Sequence, residues 1–283
     1  MNNNPIGVFD SGLGGLTVVK EMMRQFPCED IVYYGDTARL PYGTKSKESI
    51  IRFSRENAGV LVRQRVKIIV VACNSSSSYA LPALKKHLKI PVVGVIEPGA
   101  KKAAALTRNK RVGVIATSAT IGSRAYVKAI HKYAASVRVW GQACPLFVPL
   151  VEEGWTDTPV TLAVARTYLA PLKKAGIDTL ILGCTHYPLL KETIQQVMGK
   201  GVVLIDSARE VAGEVQRILE GRRWLRTRWG RGESPRRRGR PASRIGRHQF
   251  MISDRPQAFE KIAREFLGRD IRVRVVKPGS HST

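Results

Sequence analysis

Two of the four cysteines are followed at once by polar side chains: Cys73 by Asn74-Ser75, and Cys184 by Thr185-His186. A thiol has a pKa of about 8.5, so close to neutral pH it can accept a proton as thiolate or donate one as thiol. Inverting a carbon centre requires a base on one face and an acid on the other. A matched pair of thiols could therefore remove the α-proton of an amino acid and return it on the opposite face.

The groups around these cysteines suit an acidic substrate. Asp10 and His186 are candidates for adjusting the thiols and relaying protons, since each is predicted at a strand end beside a cysteine loop. Small polar residues, together with backbone N–H groups at helix starts, can bind carboxylates without adding a competing base. The candidates of this kind are Ser11, Asn74, Ser75, Thr117 and Thr185.

Each candidate also has a purely structural interpretation. A single cysteine at the end of a buried strand is commonly a small core residue, and we interpret Cys28 and Cys144 in this way because they lack polar loop partners. Asp10 or Ser11 could simply cap a helix, and His186 could cap a turn. The glycine-rich run after Asp10 lacks the lysine and hydroxyl ending of a P-loop and does not fit GxGxxG.

Short β-branched runs alternate with amphipathic segments from Ile6 to Ser207, which predicts an α/β fold of parallel sheets flanked by helices. The predicted strands are Ile6 to Phe9, Ile31 to Tyr34, Ile68 to Ala72, Val92 to Ile96, Arg111 to Ile115, Ser136 to Trp140, Thr179 to Leu182 and Val202 to Ile205. Open sheets of this type bind ligands beyond the carboxyl ends of their strands. The polar motifs that start at Asp10, Cys73, Thr117 and Cys184 all begin there, so we expect one shared site.

The predicted strands also repeat along the chain. Gly7-Val8-Phe9 matches Gly113-Val114-Ile115 and Tyr34-Gly35 matches Trp140-Gly141, both at an offset of 106 residues. Val70 to Cys73 matches Ile181 to Cys184 at an offset of 111, and Val95-Ile96-Glu97 matches Leu204-Ile205-Asp206 at 109. Four matching pairs of segments, in the same order and at nearly the same offset, predict two pseudo-symmetric lobes. The two cysteines would then occupy equivalent positions on opposite walls of one cleft.

The composition predicts a globular protein with reduced thiols. The chain has 283 residues, 43% of them hydrophobic, and its apolar stretches are far shorter than the roughly 20 residues of a membrane-spanning helix. The cysteines show neither CxxC pairs nor metal-ligand spacing, so we expect no disulfide framework and no metal site. Residues 1–5 lack the features of a signal peptide, which favours a cytoplasmic location.

The formal charge of +25 would by itself favour a nucleic acid or an anionic surface as partner. Much of it is local, because the stretch from Gly221 to His248 contains eleven arginines and one acid. We interpret residues 221–247 as a disordered basic loop. A scaffold that binds nucleic acid through this segment, with Trp224 and Trp229 among the arginines, is the alternative from another functional class.

Several motifs together resemble the glutamate racemases of the aspartate/glutamate racemase superfamily. The matching segments are Asp10-Ser11-Gly12-Leu13-Gly14-Gly15, Tyr34-Gly35-Asp36, Pro41-Tyr42-Gly43, Ala72-Cys73-Asn74, Gly113-Val114-Ile115-Ala116-Thr117, Pro149-Leu150-Val151-Glu152-Glu153-Gly154 and Gly183-Cys184-Thr185-His186-Tyr187-Pro188-Leu189. They follow one another in order between residues 6 and 207. The tail from Phe250 to Gly268 also looks like the closing strand and helix of the family.

The resemblance implies a two-base reaction without pyridoxal phosphate, metal or other cofactor. By this similarity Cys73 takes the α-proton from D-glutamate, assisted by Asp10, and Cys184 takes it from L-glutamate, assisted by His186 and by Glu152 or its neighbour Glu153. Substrate contacts are implied for Asp10, Ser11, Pro41, Tyr42, Gly43, Asn74, Ser75, Thr117, Thr185 and His186.

The same resemblance implies how the molecule is built and used. It implies a lobe of residues 1–97 and 207–283, a second lobe of residues 98–206, and an active site in the cleft between them. The product would be D-glutamate for peptidoglycan, made in the cytoplasm of a bacterium by an enzyme that could be a homodimer. Neither a membrane nor a nucleic acid is implied as a partner.

The chain departs from the family pattern in two places. Ser75 stands where the family usually has threonine, so the hydroxyl is kept and a methyl group is lost. Residues 221–247 match nothing in the family, and they represent either an insertion or a stretch read in a shifted frame. A related racemase for aspartate or a hydantoin is the nearest alternative. A redox pair of Cys73 and Cys184 is less favoured because neither lies in a CxxC motif.

Overall fold

The computed structural model describes residues 2–226, 245–255 and 259–279, which form two parallel β-sheets flanked by helices. The strands are β1 (Ile6–Asp10), β2 (Ile31–Gly35), β3 (Ile68–Val71), β4 (Val92–Gly94), β5 (Arg111–Ala116), β6 (Arg138–Ala143), β7 (Thr179–Gly183), β8 (Val203–Asp206), β9 (His248–Ile252) and β10 (Val273–Val275). The first sheet has the order β10-β9-β2-β1-β3-β4, and the second has the order β6-β5-β7-β8. The predicted α/β class is therefore confirmed.

Helices follow most of the strands and cover the sheets. They are α1 (Leu16–Gln25), α2 (Lys47–Arg63), α3 (Asn74–Tyr79), α4 (Leu81–His87), α5 (Ile96–Leu106), α6 (Ser118–Gly122), α7 (Ala125–Tyr133), α8 (Phe147–Glu152), α9 (Pro159–Lys174), α10 (Lys191–Met198), α11 (Ser207–Gly221) and α12 (Phe259–Leu267). Side chains cap several of them: Ser46 Oγ accepts the Ser49 N–H at the start of α2, and Asp206 accepts the Ala208 N–H at the start of α11. Among the described residues, no helix has both the length and the apolar character needed to cross a membrane.

The central strands are apolar throughout because helices cover both of their faces. All four residues of β3 and all five of β7 are buried, as expected for parallel strands inside a layered α/β fold. The largest apolar cluster combines residues from both sheets, and a second cluster fills the other face of the first sheet. Helix α11 packs against β4 of the first sheet and β7 of the second, so it joins the two halves of the molecule.

The strand registers agree with two of the four predicted repeat offsets. Gly7 of β1 pairs with Ile69 of β3, and Gly113 of β5 pairs with Leu180 of β7. Both members of the second pair thus lie at the predicted offsets from the first, 106 residues for β1 to β5 and 111 residues for β3 to β7. The other two offsets are wrong. Gly113 pairs with Trp140, and Gly7 pairs with Val32, so Val32 rather than Tyr34 is the counterpart of Trp140.

The strand predicted from Val92 to Ile96 is shorter in the structure. It ends at Gly94, because Ile96 begins α5, and the pairing of Val71 with Gly94 and of Leu182 with Asp206 makes Gly94 the counterpart of Asp206. The proposed match of Glu97 with Asp206 is therefore wrong. The boundary predicted between residues 97 and 98 falls in the first turn of α5, and the division into lobes stays a prediction.

The basic segment 221–247 is attached to the first sheet at both of its described ends. Arg226 donates its backbone N–H to Glu29 Oε1 at 2.7 Å, and its guanidinium forms an ion pair with Asp30 at 2.7 Å. On the other side, Gly246 N–H donates to the Pro27 carbonyl at 2.8 Å. The prediction of a disordered loop is thus wrong for residues 221–226 and 245–247, and residues 227–244, including Trp229, lie outside the described part of the chain.

Candidate active site

One pocket lies where the carboxyl ends of β1, β3 and β7 meet, and both candidate cysteines line it. It contains about 410 Å³ of space free of protein atoms, counting its open mouth. The lining residues are Ser11, Gly12, Leu40, Pro41, Tyr42, Gly43, Cys73, Asn74, Ser75, Thr117, Val148, Glu152, Cys184, Thr185 and His186. Every predicted site residue except Asp10 is in this set, while Gly12, Leu40 and Val148 were not predicted.

Cys73 lies between the end of β3 and the first residue of α3, and its side chain is almost fully buried. Burial and then the nearby Asp10 carboxylate raise the pKa of the Cys73 thiol to about 11. At neutral pH this residue is therefore a thiol, the form that donates a proton.

Asp10 ends β1 and lies behind the pocket wall rather than on it, with no exposed surface. Its Oδ2 accepts the N–H groups of Gly12 at 3.2 Å and of Gly15 at 3.0 Å, whereas Oδ1 has no hydrogen-bond partner among the described residues. Burial raises the pKa of Asp10, although the charge of His186 and the N–H donors oppose that effect. A carboxyl group with a free oxygen beside Cys73 is suited to exchanging protons with that thiol.

Cys184 follows β7 and has a different set of neighbours. Its Sγ lies 3.8 Å from Nδ1 of His186, whose Nε2 lies 3.0 Å from Glu152 Oε1. Burial alone would lower the pKa of His186, but its hydrogen bonds with Cys184 and Glu152 raise it to about 10. A protonated imidazole at this position can donate to a Cys184 thiolate, the form that accepts a proton.

The structure places Glu152, and not Glu153, at the pocket. Glu152 lies in α8, lines the pocket and contacts His186, whereas Glu153 follows the helix and is exposed. Cys144 is buried outside the pocket, and its carbonyl accepts the Tyr187 hydroxyl at 2.8 Å. Cys28 is likewise buried away from the pocket lining.

The loop after β1 packs directly on the Cys184 segment because Gly14 has no side chain. A Cβ on Gly14 would overlap Thr185 Oγ1 and lie 2.6 Å from His186 Nδ1. Thr17 stabilises the contact between the two segments, since its hydroxyl lies 2.8 Å from the Gly14 carbonyl and 3.2 Å from the Thr185 carbonyl. The glycine run that resembled a phosphate loop therefore serves here as a surface for close approach.

A buried polar cluster outside the pocket positions the Tyr42 side chain through its hydroxyl group. Its hydroxyl donates to Asp36 Oδ2 and accepts from Asn57 Nδ2 at 3.0 Å. The other oxygen of Asp36 accepts the Ser253 hydroxyl at 2.9 Å, so the segment after β9 supports the loop that carries Pro41 and Gly43 into the pocket. Ser253 lies in the tail that resembles the closing strand and helix of the family, but only the fold brings it to this loop.

Hydroxyl groups join the two sheets across the pocket. Ser75 Oγ lies 3.0 Å from Thr117 Oγ1 and 3.3 Å from Thr120 Oγ1. Gly43 approaches closely here, since a Cβ on it would lie 2.7 Å from the Thr117 Cβ. Asn74 directs its Oδ1 to the Tyr126 hydroxyl at 2.7 Å, and its Nδ2 has no partner within the described ranges.

The site thus combines two thiols, a carboxyl group, an imidazole with its own carboxylate, and several hydroxyl and amide donors. Such a set can transfer protons on two faces of a small acidic molecule. No cluster of three or more His, Cys, Asp or Glu side chains suited to a metal ion occurs among the residues that the structure describes. Whether the reaction uses a cofactor stays at the level of prediction.

Comparisons with known proteins agree with this arrangement. The sequence profile of the family described as Asp/Glu/Hydantoin racemase matches residues 6–215. A glutamate racemase of Geobacter metallireducens is 54% identical over 263 residues, which cover 93% of this chain and 92% of that relative.

Solved structures give the same result. The glutamate racemase isoform RacE1 from Bacillus anthracis is 40% identical with a TM-score of 0.89, and the alignment covers 98% of both chains. The glutamate racemase from Francisella tularensis, solved in complex with D-glutamate, is 37% identical with a TM-score of 0.88 and covers 99% of this chain and 100% of that one. The chain therefore belongs to the Asp/Glu/hydantoin racemase family and is an amino-acid racemase, an isomerase.

Proposed function

We propose that this racemase interconverts L-glutamate and D-glutamate by proton transfer between Cys184 and Cys73, without a cofactor. The observation that carries the proposal is that both thiols line one pocket after equivalent strands, β3 and β7, yet have different neighbours. Glutamate is favoured as substrate because the relatives with 54% and 44% identity are glutamate racemases. The product would be D-glutamate for peptidoglycan, formed in the cytoplasm.

In the direction from L- to D-glutamate, Cys184 as thiolate takes the α-proton while Cys73 as thiol donates a proton to the opposite face. The step breaks one C–H bond and forms another, and it leaves Cys184 as thiol and Cys73 as thiolate. The thiols then return to their starting states: the imidazolium of His186 releases its proton to water and takes the proton of Cys184, and Cys73 regains a proton from water through Asp10. The reverse reaction begins with the thiolate on Cys73.

The substrate's carboxylates have matching donors in the pocket. The hydroxyls of Ser75, Thr117 and Thr185 and the free Nδ2 of Asn74 are donors for the carboxylates. Neutral donors are appropriate here because a lysine or arginine would add a strong charge beside the two titrating thiols. A further carboxylate would repel an anionic substrate.

Exchange of the α-hydrogen in D₂O tests the assignment of each thiol. Wild-type protein should equilibrate the enantiomers with α-deuterium incorporation, and Cys73→Ala and Cys184→Ala should each lower racemisation by about 10²–10⁴-fold or more. We expect Cys184→Ala to exchange the α-hydrogen of D-glutamate only, and Cys73→Ala that of L-glutamate only. NMR and circular dichroism measure the two processes separately.

Cys28→Ala is the matched control, since Cys28 is a buried cysteine outside the pocket, and it should racemise at the wild-type rate. Normal racemisation by Cys184→Ala would remove that thiol from the mechanism. Activity on L-aspartate but not on L-glutamate would favour the related racemase instead. Salt-sensitive DNA binding in a protein without racemase activity would favour the nucleic-acid alternative, and sedimentation would test the predicted homodimer.

A further inference from the structure

Tyr126 lies between the segments that carry the two cysteines, although its helix does not line the pocket. It belongs to α7, and its side chain is buried. Its hydroxyl lies 2.7 Å from Asn74 Oδ1, directly after Cys73 in the chain. On the other side, a Cβ on Gly183, the residue before Cys184, would lie 3.1 Å from the Tyr126 ring.

The hydrogen bonds around this hydroxyl determine which end of the Asn74 amide faces the substrate. Tyr126 gives its single hydrogen to Asn74 Oδ1, so it is not the donor at its 3.2 Å contact with Ser207 Oγ. Ser207 donates its own hydrogen to the Leu182 carbonyl at 3.1 Å, so it keeps that partner when the Tyr126 hydroxyl is removed. Burial raises the pKa of Tyr126, which keeps the phenol protonated and able to donate.

The bond from Tyr126 therefore orients the Asn74 amide, with Oδ1 toward Tyr126 and the Nδ2 donor left free. Its side chain is buried, lines the pocket, and has an Nδ2 group with no partner in the described part of the chain. An amide can turn to present either oxygen or nitrogen, and only the nitrogen suits an anionic carboxylate. A buried donor without a partner costs free energy, and a bound carboxylate would supply that partner.

We propose that Tyr126 is a positioning residue for substrate binding, which holds the Asn74 amide with Nδ2 toward the pocket as a donor to a substrate carboxylate. This inference rests on the proposed function, because it takes the ligand to be an acidic amino acid. Tyr126 itself does not touch the substrate and transfers no proton. It acts through the orientation of one amide group.

The test compares Tyr126→Phe with wild type. Loss of the hydroxyl should raise KM for both enantiomers about tenfold and change kcat by less than about threefold, because a binding contact is weakened and the proton-transfer groups remain. The dissociation constant for an equilibrated mixture of L- and D-glutamate, measured by titration calorimetry, should rise by the same factor. Tyr133→Phe is the matched control, since Tyr133 lies on the same helix, is exposed, and bonds Glu97 instead.

A double-mutant cycle separates orientation of Asn74 from a general structural effect. In an Asn74→Ala background, Tyr126→Phe should cause no further rise in KM or in the dissociation constant. Ser207→Ala keeps the bond from Tyr126 to Asn74 and should leave both constants near their wild-type values. Thermal unfolding of each variant identifies any loss of fold.

An unchanged KM in Tyr126→Phe, or an equal further rise in the Asn74→Ala background, would overturn the inference while leaving the proposed racemisation intact. Wild-type protein that neither binds nor racemises glutamate would overturn the proposed function, and this inference with it. A fall in kcat alone would also contradict a role in substrate binding.

Discussion

The two cysteines differ in the groups that surround them, and this difference predicts how activity depends on pH. The His186 ring is charged below its raised pKa of about 10, so we expect kcat/KM to fall as the pH rises through that value. Both directions should lose activity together, because the enantiomers have equal free energies and their kcat/KM values must stay equal.

Glu152→Gln should move this alkaline limb to lower pH by about 1 unit or more, because the carboxylate that helps to keep His186 charged is removed. Initial rates measured in both directions between pH 6 and 11 would show the shift. Glu153→Gln is the matched control, since its carboxylate is exposed, and its profile should match wild type. A limb that stays in place in Glu152→Gln would exclude the contact with Glu152 as the cause of the raised His186 pKa.

Asp10→Asn tests the other thiol. Asparagine has nearly the same shape and can still accept the N–H groups of Gly12 and Gly15, but it cannot take a proton from Cys73. We expect kcat to fall by about 10²–10⁴-fold with little change in the unfolding temperature. Stopped assays in both directions with thermal melts would measure this, and a kcat within about threefold of wild type would remove Asp10 from the proton transfer.

At the scale of helices and strands, the regular part of the fold could be predicted because buried parallel strands are short apolar runs. Strands β1, β3 and β7 were predicted nearly to their ends, and these are the strands that position Asp10, Cys73 and Cys184. Strand β10 was not predicted, because Val273-Arg274-Val275 is a mostly exposed edge strand with an arginine at its centre. Its pairing with β9 depends on the fold and not on a local apolar pattern.

The supporting residues of the site were harder to predict than the residues that line it. Cys73 and Cys184 are followed by polar motifs at strand ends, which is a signal in the sequence itself. Tyr126 is the second residue of the amphipathic helix α7, and it reaches Asn74 over 52 positions of sequence. The edge contact of Phe266 with the His186 ring, at 5.6 Å between centroids, likewise carries no local signal.

The close packing of the β1 loop against the Cys184 segment predicts a sensitive glycine. Gly14→Ala would force Thr185 and His186 to move, so we expect kcat to fall strongly and the unfolding free energy to drop by about 1–3 kcal/mol. Gly213→Ala is the control, because nothing lies within 4 Å of the added Cβ in α11, and it should stabilise by about 0.5–1 kcal/mol. Urea unfolding and activity assays of both variants decide the matter, and a fully active Gly14→Ala protein would contradict the close contact.

Across the whole molecule, the chain after α11 is fastened to the first sheet by charges buried in the core. Lys67 and Glu29 form an ion pair at 2.6 Å with no exposed side-chain surface on either residue. Lys67 also donates to the Trp224 carbonyl at 2.9 Å, and Glu29 accepts the Arg226 N–H at 2.7 Å. A buried pair with further hydrogen bonds of this kind fixes position more than it adds net stability.

Removal of one partner should therefore be costly. Lys67→Met would leave the Glu29 carboxylate buried without its counter-charge, and we expect the unfolding free energy to fall by about 3–5 kcal/mol in urea titrations. Lys132→Met, which breaks the exposed pair with Glu97, should cost no more than about 1 kcal/mol. The double variant Lys67→Met/Glu29→Leu should recover part of the loss, because no unpaired charge remains in the core. A Lys67→Met protein as stable as wild type would show that this pair does not hold the segment after α11 in place.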